Sequence, residues 1–555
     1  MRILSIHMTH DASCSVINDG KIEFYGKEER FSRIKKDNHP FLTLDVIKSL
    51  NLGKIDYAVY HTPSNSEESL YVLYAEYVRK IFNVHLENYS DLNHHKVHAT
   101  LAFCNSGFDE ALSFVIDRNG SILFIDRMPS LRESESVFYF SKEALCIEEI
   151  YKSFWLYNEM DKSFAKSILS NQKTNTDIKI HGVFGIVKAY EAGTTLIDQN
   201  PLENGKTMGL SSYSDKTYSN SFFIDGSPIS NKFSHIDNRH MDLVSCINGM
   251  EDDITHEVTP ANYKLYADIA KELQLETQES VLNLIKYYVN KTGVKNVCIS
   301  GGYGLNVVAN QYYLENTNGL SFYFEPLSDD SGVSIGAAML KHFEIEKKFP
   351  NKICTPFFHY FNNEEDILDK TCTKIYDADV TDVANLLVNG KSVGLFHGHP
   401  ESGPRALGHR SILFDPRNSN SKNIINEIKM REWYRPFAGV ILESELEKYF
   451  HTNGVSKSEY MTINFKAKRK AKKFPGILHV DNTCRLQTVS SGCLFDILNI
   501  FNKKTDCPVL LNTSMNLAGE PLVQTKKEAL DMLNNSKLDY IFFVDDKKMA
   551  KNKNI

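Results

Sequence analysis

The stretch VKNVCISGGYGLNVVANQYYL, residues 294–314, decides the fold. An apolar, β-favouring run ends on two glycines, and apolar residues then recur at helical spacing. The reading is a buried strand, a glycine turn and a helix. Working outward, ALSFVIDRNGSILFI (111–125) is an apolar strand, then Asp117, a turn at Gly120 and a second strand. The N-terminus has the same grammar. RILSIHM and CSVINDGKIEFYG are strands around a polar turn at His10–Asp11, and NDG closes a hairpin. Two strand–acid–turn–strand units, each followed by helical patterning, imply a duplicated α/β architecture. KKFPNKICTPFFHYFNNEED (347–366) breaks the periodicity and reads as a linker. A second α/β block opens around VANLLVNGKSVGLFHG and runs to about residue 545, leaving DDKKMAKNKNI as a polar tail. The expected division is 1–350, a linker over 351–375, and 376–555.

Composition narrows the class. With 555 residues, 42% hydrophobic and 24% charged, the chain can bury a large core. A net charge of −7 excludes a wholly basic nucleic-acid coat protein while permitting a local basic patch. The ten cysteines form no C-x-x-C pair, so zinc ribbons and thioredoxin motifs are excluded and buried thiols in a reducing cytoplasm are expected. MRILSIHMTHDAS has no long apolar stretch or cleavage site, and no run of about eighteen apolar residues follows. A cytoplasmic protein is expected, neither secreted nor membrane-spanning.

LNHHKVHATLAF (92–103) places His94, His95 and His98 within five positions. On a helix, His94 and His98 project from one face and can share a metal ion, although paired helical histidines are more often surface or core residues. A metal also needs carboxylates. Asp117 ends an apolar strand, and Asp330 lies in the turn of EPLSDDSGVSIGAA, where Asp329 and Asp330 read equally well as a helix N-cap.

SGGYGLN (300–306) brings glycine backbone to a helix N-terminus, where phosphate is attracted, but it lacks the GK[ST] of a Walker loop. NGKTMGLSSYS adds Gly205 and Lys206 in a second glycine–lysine turn, and EERFSRIKK adds Lys35. The C-terminal block concentrates cations: Arg405 and Arg410, then Lys429, Arg431 and Arg435, then Arg485, with Ser514 and Asn516 as neutral donors. Arginine forks suit phosphate and carboxylate groups; structural ion pairs are the competing reading, since Glu432 and Asp481 lie nearby.

In order along the chain, HDAS, EERFSR, HHKVHA, GKTMGL, SGGYGLNVVAN, DDSGVSIGAA, GPRALGHRSIL, KMREWYRPFAG, RLQTV and NTSMNLAGEP resemble the NodU/CmcH-type O-carbamoyltransferases. The resemblance spans nearly the whole sequence. It implies an actin-like (ASKHA) domain followed by a YrdC-like α/β domain. It further implies that the YrdC-like domain makes carbamoyl-adenylate from carbamoyl phosphate and ATP with Mg2+. The actin-like domain, with an Fe2+ ion, then moves the carbamoyl group to an acceptor hydroxyl.

Residue by residue, the resemblance implies His94, His98, Asp117 and Asp330 as metal ligands, with His95 a neighbour. It implies His10 as the catalytic base, a role suited to imidazole. Lys35, Gly205, Lys206, Gly301, Gly302 and Asn306 would lie on the nucleotide side of the actin-like domain. Arg405, Lys429, Arg435, Arg485, Ser514 and Asn516 would line the carbamoyl phosphate and adenylate pocket. The chain departs from the family at DRNG, which replaces a glycine-rich turn, at Asn482 and Cys484, and at Gly439 in RPFAG.

A small-molecule natural product or sugar is the expected acceptor. FKAKRKAKKF, with six basic residues over 466–473, offers a second: a hydroxymethylated base in DNA or RNA, such as 5-hydroxymethylcytosine, bound through its phosphates. Such a charge run is more often a solvated loop. Three rival readings make distinct expectations. A tRNA threonylcarbamoylation enzyme would need threonine for pyrophosphate release. A hydrogenase-maturation carbamoyltransferase would carry acylphosphatase and zinc-finger segments. A nucleotide-binding scaffold would bind ATP without forming AMP.

Overall fold

The structure is a computed structural model of the 555-residue chain. It describes all residues except 64–67, 91–92, 126–127, 157–174, 182–184, 198–202, 216–222, 225–226, 229–257, 361–373 and 555. The chain divides into two compact units. One comprises Met1–Glu23 and Leu44–Ile353, the other Phe24–Thr43 and Cys354–Ile555.

The first unit holds two matching sheets. Strands β1 (Arg2–His7), β2 (Ser13–Asn18), β3 (Lys21–Lys27, of which residues 21–23 belong to this unit), β4 (Tyr57–His61) and β5 (Leu86–Asn88) lie in the order β3-β2-β1-β4-β5. The second sheet contains β6 (Glu110–Ile116), β7 (Ile122–Ile125), β8 (Met128–Ser141), β9 (Cys146–Leu156) and β10 (Asp177–Ile180). A two-stranded ladder, β11 (Phe223–Ile224) with β12 (Ser227–Pro228), precedes its last two members, β13 (Asn296–Ser300) and β14 (Ser321–Phe324). Its order is β10-β9-β8-β6-β13-β14, with β7 paired to β8. In each sheet the central strand, β1 or β6, has an antiparallel neighbour on one side and a parallel one on the other. The expected duplication is therefore present: the unit is an actin-like α/β fold. Both central strands are apolar runs buried along nearly their whole length, as strands covered on two faces must be.

Two helices exchange places between the sheets. His94–Ser106, which follows the first sheet in the chain, packs on β6, β8 and β13 of the second. Val333–Glu346, which follows the second, packs on β1, β2 and β4 of the first. The helices also pack on each other. A Cβ at Gly336 would lie 2.5 Å from the Val97 carbonyl oxygen, so only glycine permits this approach. Almost every residue of His94–Ser106 is buried, which explains its lack of a polar face.

The second unit is built on a ten-stranded mixed sheet. Its strands are β15 (Lys374–Asp377), β16 (Val393–Phe396), β17 (Arg410–Phe414), β18 (Ala438–Leu442), β19 (Phe450–His451), β20 (Asn464–Ala467), β21 (Thr483–Val489), β22 (Val509–Ser514), β23 (Tyr540–Phe543) and β24 (Lys548–Lys551). They lie in the order β15-β24-β23-β16-β17-β22-β18-β21-β20-β19. Two sequence expectations change here. Lys548–Lys551, read as part of a polar tail, is a strand between β15 and β23, because Met549 and Ala550 bury completely between its lysines. Within the expected linker, residues 361–373 lie outside the described set, while 358–360 are packed: the Tyr360 amide donates to the Tyr25 carbonyl at 2.7 Å, and Phe358 and His359 meet the Tyr25 ring.

Candidate functional site

In the first unit, the exchanged helices bring four predicted side chains together. His94, His98, Asp117 and Asp330 are buried, each offering a ligand atom within 4.8 Å of the others. His94 and His98 stand one turn apart, and their rings meet edge to face at 4.7 Å. Asp117 leaves the end of β6, and Asp330 opens the turn into Val333–Glu346. His94 Nε2 lies 3.3 Å from Asp117 Oδ2 and 3.5 Å from Asp330 Oδ1, and His98 Nε2 lies 3.4 Å from that same Asp330 oxygen. Asp330 is thus a ligand candidate; no side-chain cap is made by Asp329.

The charges at this point suit a cation. Burial favours a neutral His94, yet the Asp330 and Asp117 carboxylates outweigh it and hold its proton up to about 10. Against the cost of burial, His94 and its neighbours keep Asp330 well below the ordinary carboxylate range, and Asp117 is held down in the same way. Both ring nitrogens of His98 and Nδ1 of His94 are buried without a hydrogen-bond partner. Two close buried carboxylates beside unsatisfied imidazoles fit a divalent ion with mixed nitrogen and oxygen ligation. His95 turns away: its Nδ1 is paired with Ser136 Oγ at 2.7 Å.

The surroundings contain residues that the sequence reading did not single out. His7 Nε2 is 2.8 Å from Thr9 Oγ1, whose hydroxyl donates to Asp330 Oδ2 at 3.1 Å. His61 lies against His7 and His94, ring centroids 5.5 and 5.1 Å away, with neither nitrogen hydrogen-bonded. Burial keeps both His7 and His61 below the usual imidazole range. The predicted base, His10, sits at the edge and is partly exposed. Its Nδ1 is 3.9 Å from Asp330 Oδ2, and its Nε2 is 3.4 Å from Asp11 Oδ2.

The glycine turn has a local task. Gly301 adopts φ +81°, and a Cβ there would lie 2.5 Å from the Ile116 carbonyl. This close approach lets the Gly302 amide donate to Asp117 Oδ1 at 2.9 Å. Asn306 caps the helix Val307–Glu315 by accepting from Ala309 N at 3.0 Å. Gly205 and Lys206 lie on the helix Asn204–Leu210, with Lys206 Nζ 2.6 Å from Glu203. Lys35 falls in the second unit, apart from these residues in the chain's division.

The second unit assembles the other predicted group. Lys429 ends the helix Ser421–Lys429, which Met430 closes in the left-handed region. Its Nζ donates to the Ser514 carbonyl (2.5 Å), Ser514 Oγ (3.2 Å), Asn516 Oδ1 (2.5 Å) and the Asn516 carbonyl. Burial, then Arg431, Arg435 and Lys35, push this ammonium well below its ordinary value. Burial and Arg405 do the same to Arg485. Arg431, another residue absent from the expected set, is pushed down to about 9 by burial and Arg435. These cations therefore crowd one region of the unit, and an anion there would relieve their repulsion. Arg435 has one acid beside it, Glu432 at 3.3 Å. Arg410 differs: buried over the Phe396 ring, it donates to the carbonyls of His397, His409 and Gly398, so it holds the loop together.

Two chemistries thus define the class: an α/β protein with a buried histidine–carboxylate centre in one unit and a crowd of cations in the other. Residues 68–339 match the carbamoyltransferase N-terminus and residues 384–550 the carbamoyltransferase C-terminus. The chain belongs to the carbamoyltransferase family and is a carbamoyl-transferring enzyme. It is 27% identical to uncharacterized protein sll1178 of Synechocystis sp., over 96% of this chain and 94% of that one. It is also 27% identical to nodulation protein NolO of Bradyrhizobium diazoefficiens, over 81% and 77%. Among solved structures, full-length HypF in its phosphate- and nucleotide-bound form aligns at 15% identity with a TM-score of 0.38, covering 62% of this chain and 56% of that one. No described helix is long and apolar enough to cross a membrane.

Proposed function

We propose that the enzyme is an ATP-dependent O-carbamoyltransferase working in two stages. The second unit makes carbamoyl-adenylate from carbamoyl phosphate and ATP, which enters with Mg2+. The first unit moves the carbamoyl group to the hydroxyl of a small molecule or sugar. The observation that carries this reading is the separation of the two chemistries. Arg405, Lys429, Arg431, Arg435 and Arg485 concentrate positive charge in one unit, while the base candidate His10 stands beside a buried metal-type cluster in the other.

In the second unit, the cations offset the charge of two phosphorylated substrates that would otherwise repel each other. Ser514 and Asn516 fix Lys429 for that purpose. The family resemblance supports a YrdC-like role for this unit. In the first unit, Asp11 and Asp330 flank the His10 ring, so that it can take the proton of the acceptor hydroxyl. An Fe2+ ion held by His94, His98, Asp117 and Asp330 would supply Lewis acidity toward developing negative charge.

The test is incubation of the full chain with carbamoyl phosphate, ATP and a panel of hydroxylated acceptors. One acceptor should gain the mass of one carbamoyl group. His10→Asn should abolish this gain while pyrophosphate release continues; loss of both would end the division of labour.

A second acceptor reading draws on the basic stretch. Lys466, Arg469, Lys470, Lys472 and Lys473 are exposed, although Lys473 meets Asp506 and Lys468 donates to the Glu447 carbonyl. Such a face can bind nucleic-acid phosphates. If a hydroxymethylated DNA is the acceptor, activity on it should fall steeply with salt, and a flat response would discard this reading.

A further inference from the structure

The turns that leave β1 and β6, the central strands of the two matching sheets, both reach the metal-type cluster. The first delivers His10 to within 3.9 Å of Asp330, and the second delivers Asp117 to within 3.3 Å of His94. Immediately after Asp117 comes Arg118, in the DRNG turn that departs from the family's glycine-rich pattern. Its side chain is 28% exposed. Its Nε is paired with Oε2 of Glu191, a 5% exposed carboxylate on the helix Ile186–Leu196 that Lys188 also holds at 3.1 Å. The two outer amino groups of Arg118 donate to nothing among the described residues. Among the described residues the guanidinium is therefore tethered by its inner nitrogen alone, with no partner on its fork. A guanidinium kept only for an ion pair would turn that fork onto the carboxylate.

We propose that Arg118 binds the phosphate of the adenylate in the first unit and receives the leaving group. The inference rests on the two-stage reaction above and adds to it the residue that faces the departing nucleotide. In the step, the acceptor oxygen attacks the carbamoyl carbon and its proton passes to His10. The bond from that carbon to the phosphate oxygen breaks, and its electron pair leaves on AMP. Arg118 holds the phosphate through charge-assisted hydrogen bonds that strengthen as this charge develops.

The experiment is calorimetric titration of AMP into the full chain carrying Arg485→Ala, which disables the cationic pocket of the second unit. In that background, Arg118→Ala should weaken AMP binding roughly ten- to a hundredfold, the worth of a hydrogen bond to a charged group. Glu191→Gln, which leaves the guanidinium in place, should keep the affinity within about twofold. A purely structural ion pair predicts equal effects from the two substitutions, and that result overturns the proposal. If Arg118→Ala does not fold, Arg118→Lys serves: it keeps the charge and loses the fork, so undiminished affinity also overturns it. If the chain with Arg485 intact releases no pyrophosphate, loss of AMP binding on Arg118→Ala keeps the Arg118 site and discards the two-stage reaction. Unchanged binding on Arg118→Ala, with pyrophosphate released by the chain that keeps Arg485, discards Arg118 alone.

Discussion

Asp330 lies within 4 Å of four imidazoles, those of His7, His10, His94 and His98. Removing its charge should therefore affect metal retention more than the fold. Asp330→Asn should lose most bound metal by elemental analysis while its far-ultraviolet spectrum is kept. The ligand candidates were legible because helical spacing and the family phrases fall on them. His7 and His61 were not, because a histidine inside an apolar strand has no sequence signature separating a site from a core. Glu325 gives the fold a pH dependence. It is fully buried, accepts from Leu327 N at 2.9 Å and Asn105 Nδ2 at 3.0 Å, and burial raises it to about 7. An acid whose folded value is raised binds its proton more tightly when folded. Stability should thus be unaffected below about pH 4.5 and fall as pH climbs to about 7, by up to about 3 kcal/mol. Urea midpoints at pH 5 and pH 8 should show this fall, and Glu325→Gln should remove the slope.

Among elements, the glycines of 300–306 fit either a phosphate cradle or a tight strand–helix turn, and the structure gives the turn a duty toward Asp117. Gly301→Ala should cost about 2 kcal/mol or more, because the left-handed backbone and the Ile116 carbonyl both oppose a Cβ. A lower urea midpoint with weaker metal retention is the expected pair of results; loss of stability alone would mean that Asp117 keeps its place without the amide. The strands around this turn were legible from apolar runs. The exchange of the two helices was not, since either helix has enough apolar surface for either sheet. The strand at Lys548–Lys551 was hidden for a related reason: only two of its four residues are apolar.

For the molecule as a whole, cation crowding in the second unit predicts stabilisation by small anions. Inorganic pyrophosphate at about a hundredfold excess over its Kd should add about 2.7 kcal/mol, seen as a raised Tm. Arg485→Ala should remove most of that rise, and an equal rise in both would place the anion elsewhere. The actin-like duplication was legible in repeated strand–acid–turn–strand phrases, whereas membership of residues 24–43 in the second unit was not. That segment looks continuous with its neighbours, and its partners are hundreds of positions away. Arg33 reaches the Pro521 and Leu522 carbonyls and Glu528, and Lys27 N donates to His359. One consequence concerns biosynthesis. A ribosome releases residues 24–43 early, and they must wait until the last third of the polypeptide emerges before they find their partners. Neither unit can be excised by a single cut, so a fragment beginning at Cys354 should aggregate unless a peptide spanning 24–43 is supplied in trans.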